Sequence, residues 1–180
     1  MTQWKLSCLV VLLAAVSLGI GAQEPRYRVL QDGKWGFIDA EGRVVVEPQY
    51  DYAYRYKNSH TVVVQGDMET GKRSYIDIEG NHLTGFVYDR AYHFVNGYAR
   101  AVVGGRWGFV RLDGSTLGAF RYSGALDFRD GYAGVRVGPD RDHLWGMIDS
   151  EGREVLPIAF WGLAYAGEGR WWVGRSWGEW

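Results

Sequence analysis

The sequence predicts an all-β fold, built from tandem three-stranded antiparallel meanders joined by short helical links. Three observations carry that expectation. A motif centred on Trp-Gly returns at near-regular steps. A run of alternating apolar and polar residues, the pattern of a half-buried strand, precedes each return. With 26 glycines and only 4 prolines, the chain is rich in the residue that tight turns require. Hydrophobic residues make up 47% of the 180 and aromatic residues 16%, which excludes a disordered chain. Lys and Arg number 20 against 21 Asp and Glu, so the basic surplus of a nucleic-acid binder is absent.

The first 22 residues stand outside the pattern. Lys5 supplies a positive start, residues 6–20 are apolar apart from Ser7, Ser17 and Gly19, and Gly21 and Ala22 are small. This layout predicts a secretory signal peptide cleaved after Ala22. The apolar run of 17 residues is shorter than the roughly 20 that cross a bilayer, so no membrane span is expected in the mature chain. Cys8, the one cysteine, falls in this leader. The mature domain, 23–180, is then expected in the periplasm or outside the cell, standing on its core without a disulfide.

The repeats follow in order. Gly33-Lys34-Trp35-Gly36-Phe37-Ile38-Asp39 is echoed by Gly71-Lys72-Arg73-Ser74-Tyr75-Ile76-Asp77 and by Gly105-Arg106-Trp107-Gly108-Phe109-Val110-Arg111. Trp145-Gly146-Met147-Ile148-Asp149 is a fourth copy, and Trp177-Gly178 opens a fifth. The steps are 38, 34, 38 and 32 residues, with insertions confined to one turn per unit, as repeat architectures tolerate. Each alternating run is a first strand, and Asp32-Gly33 or Gly104-Gly105 then turns the chain as a hairpin. The Trp-Gly segment is the second strand, rich in aromatic and branched residues. Val44-Val45-Val46 or Glu154-Val155-Leu156 is the third, expected to close at Pro48 or Pro157. An aromatic-x-x-Ala landmark follows, at Tyr50, Tyr88 and Tyr122, with a degenerate copy at Phe160 that has Leu163 in the alanine's place. Asp51, Asp89 and Ser123 are expected to cap one helical turn there, ended by Gly97, Gly131 or Gly169.

With these residues in view, the chain resembles the WG-repeat family, named for the Trp-Gly of the second strand. The resemblance covers about residues 27–180. It is specific at Trp35-Gly36, Trp107-Gly108 and Trp145-Gly146, and weaker where Arg73-Ser74 stands in their place. It implies about four repeats and an interaction scaffold of exported or envelope-associated bacterial proteins, with no catalytic residues to carry over. The expected arrangement is an open, twisted array. A small closed propeller is the alternative, and it would require residues 27–30 to pair near 171–173.

Candidate chemistry is sparse. His60, His82, His93 and His143 lack the close spacing of metal ligands, so no metal or other cofactor is expected. Asp39/Glu41, Asp77/Glu79 and Asp149/Glu151 are carboxylate pairs, the only basis for an envelope hydrolase, but they sit in turns before a glycine. The Trp-Gly tryptophans are read as core, one per layer. Phe160, Trp171 and Trp177 are put down to the repeat, leaving Trp161, Tyr165, Trp172 and Trp180 as candidate binding residues. They form either an exposed patch for an envelope protein or glycan, or a cap on the last repeat. The expected function is a non-enzymatic binding or scaffold module, with a glycan-binding module as the alternative.

Overall fold

The computed structural model describes residues 25–175. The leader, Trp177 and Trp180 lie outside the described residues. Fifteen strands and no helix are found among them. β1 (Tyr27–Gln31), β2 (Lys34–Ile38) and β3 (Val44–Tyr50) form the first sheet. β4 (Tyr52–Ala53), β5 (His60–Gln65) and β6 (Lys72–Asp77) form the second, and β7 (Arg90–Ala91), β8 (Tyr98–Val103) and β9 (Arg106–Arg111) the third. The fourth has four strands, β10 (Gly124–Ala125), β11 (Tyr132–Val137), β12 (Leu144–Asp149) and β13 (Glu154–Phe160). A last hairpin pairs β14 (Gly162–Gly167) with β15 (Arg170–Gly174).

The turns between first and second strands are as the sequence predicts. Asp32 and Gly33 have φ of 50° and 77°, and Gly104 and Gly105 have 57° and 74°. Two consecutive positive φ values give the hairpin turn whose twist matches the flanking strands.

The links differ from expectation. They are extended, not helical. In each landmark two residues pair with the first strand of the same sheet: Ala53 opposite Val63, Ala91 opposite Ala101, Ala125 opposite Val135. The glycines expected to end a helical turn instead complete narrow hairpins, at Asn96-Gly97, Asp130-Gly131 and Glu168-Gly169, all with positive φ. An isolated helical turn fixes several residues for one hydrogen bond. The extended link gains ladder bonds and, at Ala53 and Ala125, buries its alanine, so it prevails. The aspartates read as helix caps serve the hairpins. Asp51 Oδ2 accepts from the Gly66 amide at 2.8 Å and Asp89 Oδ2 from that of Gly104 at 2.6 Å. Their other oxygens pair with Lys34 and Lys72 on the preceding sheet.

The prolines also differ. Pro48 and Pro157 lie inside β3 and β13, not at their ends. Trp35 pairs with Tyr50 and Phe37 with Val46, so the third strand carries extra residues across this step. The same irregularity separates Trp145–Phe160 from Met147–Leu156. A bulge leaves residues outside the ladder, which is where a residue without an amide proton fits.

The core lies between sheets. Phe37, Val46 and Tyr50 of the first sheet pack with Ala53, Val63 and Ile76 of the second. Val62 and Tyr75 meet Phe94, Ala99, Ala101 and Val110 of the third. Phe109 meets Ala125, Phe128, Ala133, Val135 and Ile148 of the fourth. Each sheet therefore completes its neighbour's core, the logic of a solenoid. An aromatic pair marks each junction, with ring centroids 4.7 Å apart for Phe37–Tyr56 and 5.0 Å for both Tyr75–Phe94 and Phe109–Phe128. β1 forms its ladder with β2 and β15 with β14, so among the described residues no strand pairing joins the two ends and the array is open.

Candidate functional site

The Trp-Gly motif is structural, but not in the way one buried tryptophan per layer implies. The fully buried rings are two residues further on, with Phe37 at 0%, Tyr75 at 0% and Phe109 at 1% exposure. Trp35, Trp107 and Trp145 are half-buried and stand under arginines: Arg28 is 4.9 Å from the Trp35 ring, Arg100 5.8 Å from Trp107 and Arg136 5.9 Å from Trp145. A guanidinium over an indole face is a favourable cation–π contact. The glycines are needed for close approach. A Cβ on Gly36 would lie 2.7 Å from Pro48 N, and one on Gly146 2.7 Å from Leu156 O, because the bulged third strand leans on both. In the second sheet Ser74 takes this place, and its hydroxyl donates to the Thr84 carbonyl at 2.6 Å.

The carboxylate pairs are held within their turns. Asp39 Oδ1 accepts from the amides of Glu41 and Arg43 at 3.0 and 2.8 Å, and Oδ2 takes Arg43 Nε at 2.6 Å. Asp149 repeats the arrangement with Glu151 and Arg153. Burial opposes the Asp39 charge, but the hydrogen bonds from Arg43 and Glu41 outweigh it and hold the carboxyl below its ordinary value. Asp77 binds the Glu79 and Asn81 amides in the same way.

The histidines are dispersed. His82 lies between Tyr50 Oη at 3.2 Å and Ser74 Oγ at 2.9 Å. His60 packs on Phe94, His93 on Tyr54 and His143 on Trp145. No group of three or more potential metal ligands is found among the described residues.

The C-terminal aromatics divide into two faces. Tyr165 pairs across the ladder with Trp171, their rings 5.2 Å apart and edge-on. Trp172 pairs with Ala164 and therefore projects from the other face, 58% exposed. Trp161 is half-buried and its amide donates to Gly174 at 3.0 Å, as Ser123 donates to Arg136 one sheet earlier. Of the candidates among the described residues, Tyr165 alone lines a cleft of about 320 Å³ between the last hairpin and the link of the fourth sheet. Trp171, Leu163, Leu126, Asp127 and Arg129 complete most of its wall. The Trp171 indole Nε1 is buried there with no hydrogen-bond partner among the described residues. Tyr165 Oη donates to Asp130, which raises the phenol's pKa above its ordinary value.

Trp171 was legible but misassigned. Register places it where Ala99 and Ala133 stand, both 0% exposed, so the repeat calls for a small residue there. Its bulk is matched by Ala166, which stands where the earlier junctions carry Phe94 and Phe128.

No curated protein matches this chain. The model for the WG containing repeat matches at residues 35–68, 74–107 and 107–138. Each match runs from a Trp-Gly strand, or its Ser74 substitute, through the link and into the next sheet, and the sheet of Trp145 repeats the same architecture beyond them. Since the matches cover more than half of the 180 residues, the chain belongs to the WG-repeat family.

Proposed function

We propose that this chain is a non-enzymatic binding or scaffold module of the bacterial periplasm or cell surface. The observation that carries this is the cleft beside the last hairpin. Its wall sets the Tyr165 and Trp171 rings and the Leu126 and Leu163 side chains beside the charged Asp127 and Arg129, apolar surface with a few polar groups as in a ligand site. The leader layout of residues 1–22 supports export. No helix among the described residues is long and apolar enough to cross a membrane.

Glycan binding is the second reading, favoured by one feature. Tyr165 and Trp171 offer rings in the cleft wall beside Asp127 and Arg129, which suits sugars with an apolar face and a hydroxyl edge. A ligand screen with glycans in one arm and peptides in the other, repeated on Trp171→Ala and Tyr165→Phe, tests both. Loss of binding in Trp171→Ala supports the cleft, and the arm that responds identifies the ligand class. Unchanged binding in both variants contradicts it.

A further inference from the structure

Equivalent positions at the first and third junctions carry the same arginine but differ in what meets it. Arg28 on β1 and Arg100 on β8 occupy the same place in their sheets, and each reaches to the next sheet. Arg28 Nη1 donates to the Ala53 carbonyl at 2.9 Å and Arg100 Nη1 to that of Ala125 at 3.0 Å. Each also lies over a Trp-Gly tryptophan. Two residues beyond the alanine the junctions diverge. Arg100 meets Asp127, Nε to Oδ1, at 2.6 Å. The residue that should meet Arg28 is Arg55. Both arginines line a pocket of about 450 Å³ with Arg26, Tyr27, Trp35 and Tyr56. No carboxylate stands in its wall among the described residues. Arg55 is exposed.

We propose that this pocket binds a carboxylate carried by an acidic peptide segment of a partner protein. The third junction is the internal precedent: the same arginine, backbone carbonyl and indole are completed there by a side-chain carboxylate. At the first junction Arg55 excludes an internal carboxylate and adds a second guanidinium. Two guanidinium-bearing residues in the wall of one pocket favour a carboxylate, which accepts charge-assisted N–H donors. Tyr27, Trp35 and Tyr56 supply apolar walls for the stem of that side chain and its neighbours. The proposal rests on the binding-module reading above but uses a different site.

The test uses the full chain and three probes at low salt: a short capped Glu-Gly repeat peptide, its Gln-Gly counterpart and inorganic phosphate. Affinity and melting temperature are measured for the parent, Arg55→Gln, Arg55→Asp and Asp127→Arg. The Glu-Gly peptide is expected to bind and the Gln-Gly peptide to fail. Arg55→Gln should weaken binding by about tenfold, the scale of one charge-assisted bond. Arg55→Asp should abolish binding while raising the melting temperature, because it recreates the pairing seen between Arg100 and Asp127. Asp127→Arg should lower the melting temperature and add a second binding event. Unchanged affinity in Arg55→Asp, equal binding of the Gln-Gly peptide, or phosphate binding more tightly than the Glu-Gly peptide would each overturn the proposal. Arg55→Asp leaves the C-terminal cleft intact, so a ligand still held there would show the binding module standing while this site falls.

Discussion

The junction between the third and fourth sheets and the junction between the fourth sheet and the last hairpin are built from the same positions and filled differently. At the first, Phe109 meets Phe128, ring against ring, with Ala133 tucked beside them. At the second, Met147 takes the place of Phe109, Ala166 that of Phe128 and Trp171 that of Ala133. Bulk has moved from the link to the strand. The inner junction is closed by an aromatic pair. The outer one leaves a cleft with an indole on its wall. Inner junctions thus serve folding, and the last trades packing for a place where a ligand fits.

The comparison is broken most severely at its centre. Phe109→Ala should destabilise the chain by about 3–5 kcal/mol, since the ring is buried between sheets and its loss leaves a cavity. Met147→Ala, against a small neighbour, should cost about 2 kcal/mol. Urea melts of both variants check the order, and a reversal would place the main packing at the outer junction.

A smaller effect sharpens the role of the Trp-Gly glycine. Gly146→Ala drives a methyl against the Leu156 carbonyl and the Ile158 amide, at 2.7 and 2.8 Å, and should cost about 1–3 kcal/mol. Gly108→Ala meets only the Phe120 ring, at 2.8 Å, in a sheet whose third strand is reduced to isolated bridges. That ring can swing, so the cost should fall below about 1 kcal/mol. Equal losses in thermal melts would mean that the bulge is not what demands glycine.

The pH dependence isolates the inner junctions. Burial lowers the imidazole pKa of both His60 and His93, each packed between sheets. As pH falls through about 6.5 the unfolded chain takes up these protons before the folded one does, so stability drops until the folded values are passed. Asp39 and Asp149, whose pKa values are lowered in the fold, contribute stability that persists above the ordinary Asp range near 3.9 and is lost only below it. The melting temperature should therefore decline as pH falls below about 6.5, and His93→Gln should reduce that decline. A flat profile across this window would contradict the burial of both rings.

Much of the fold was legible because turn chemistry and register are local. Asp32-Gly33 and Gly104-Gly105 name their turn type, and strand alternation follows from the pleat. The rest depended on neighbours. Pro48 looks like a strand end unless the bulge opposite Gly36 is known. The Asp51 and Asp89 segments have the residues of a helix cap, and only the ladder to the first strand makes them extended. Recurrence does not reveal depth: Trp35 and Trp107 pack only against the edge of the core, and the strand positions two residues on, Phe37, Tyr75 and Phe109, carry the fully buried rings. At the candidate site, Tyr165 was found by counting aromatics. Trp171 was missed for want of an alignment with Ala99 and Ala133, although the repeat contained that signal.

Native-state hydrogen exchange, resolved residue by residue, tests the central contrast most directly. Amides of β8, β9, β11 and β12 lie around the aromatic junction and should exchange only through global unfolding. Those of β14 and β15 should exchange at least about tenfold faster through local opening of the last hairpin, and a bound cleft ligand should slow them selectively. Equal protection of Val110, Ile148 and Val173 without ligand would show the last hairpin docked as firmly as the inner sheets, and would contradict the account.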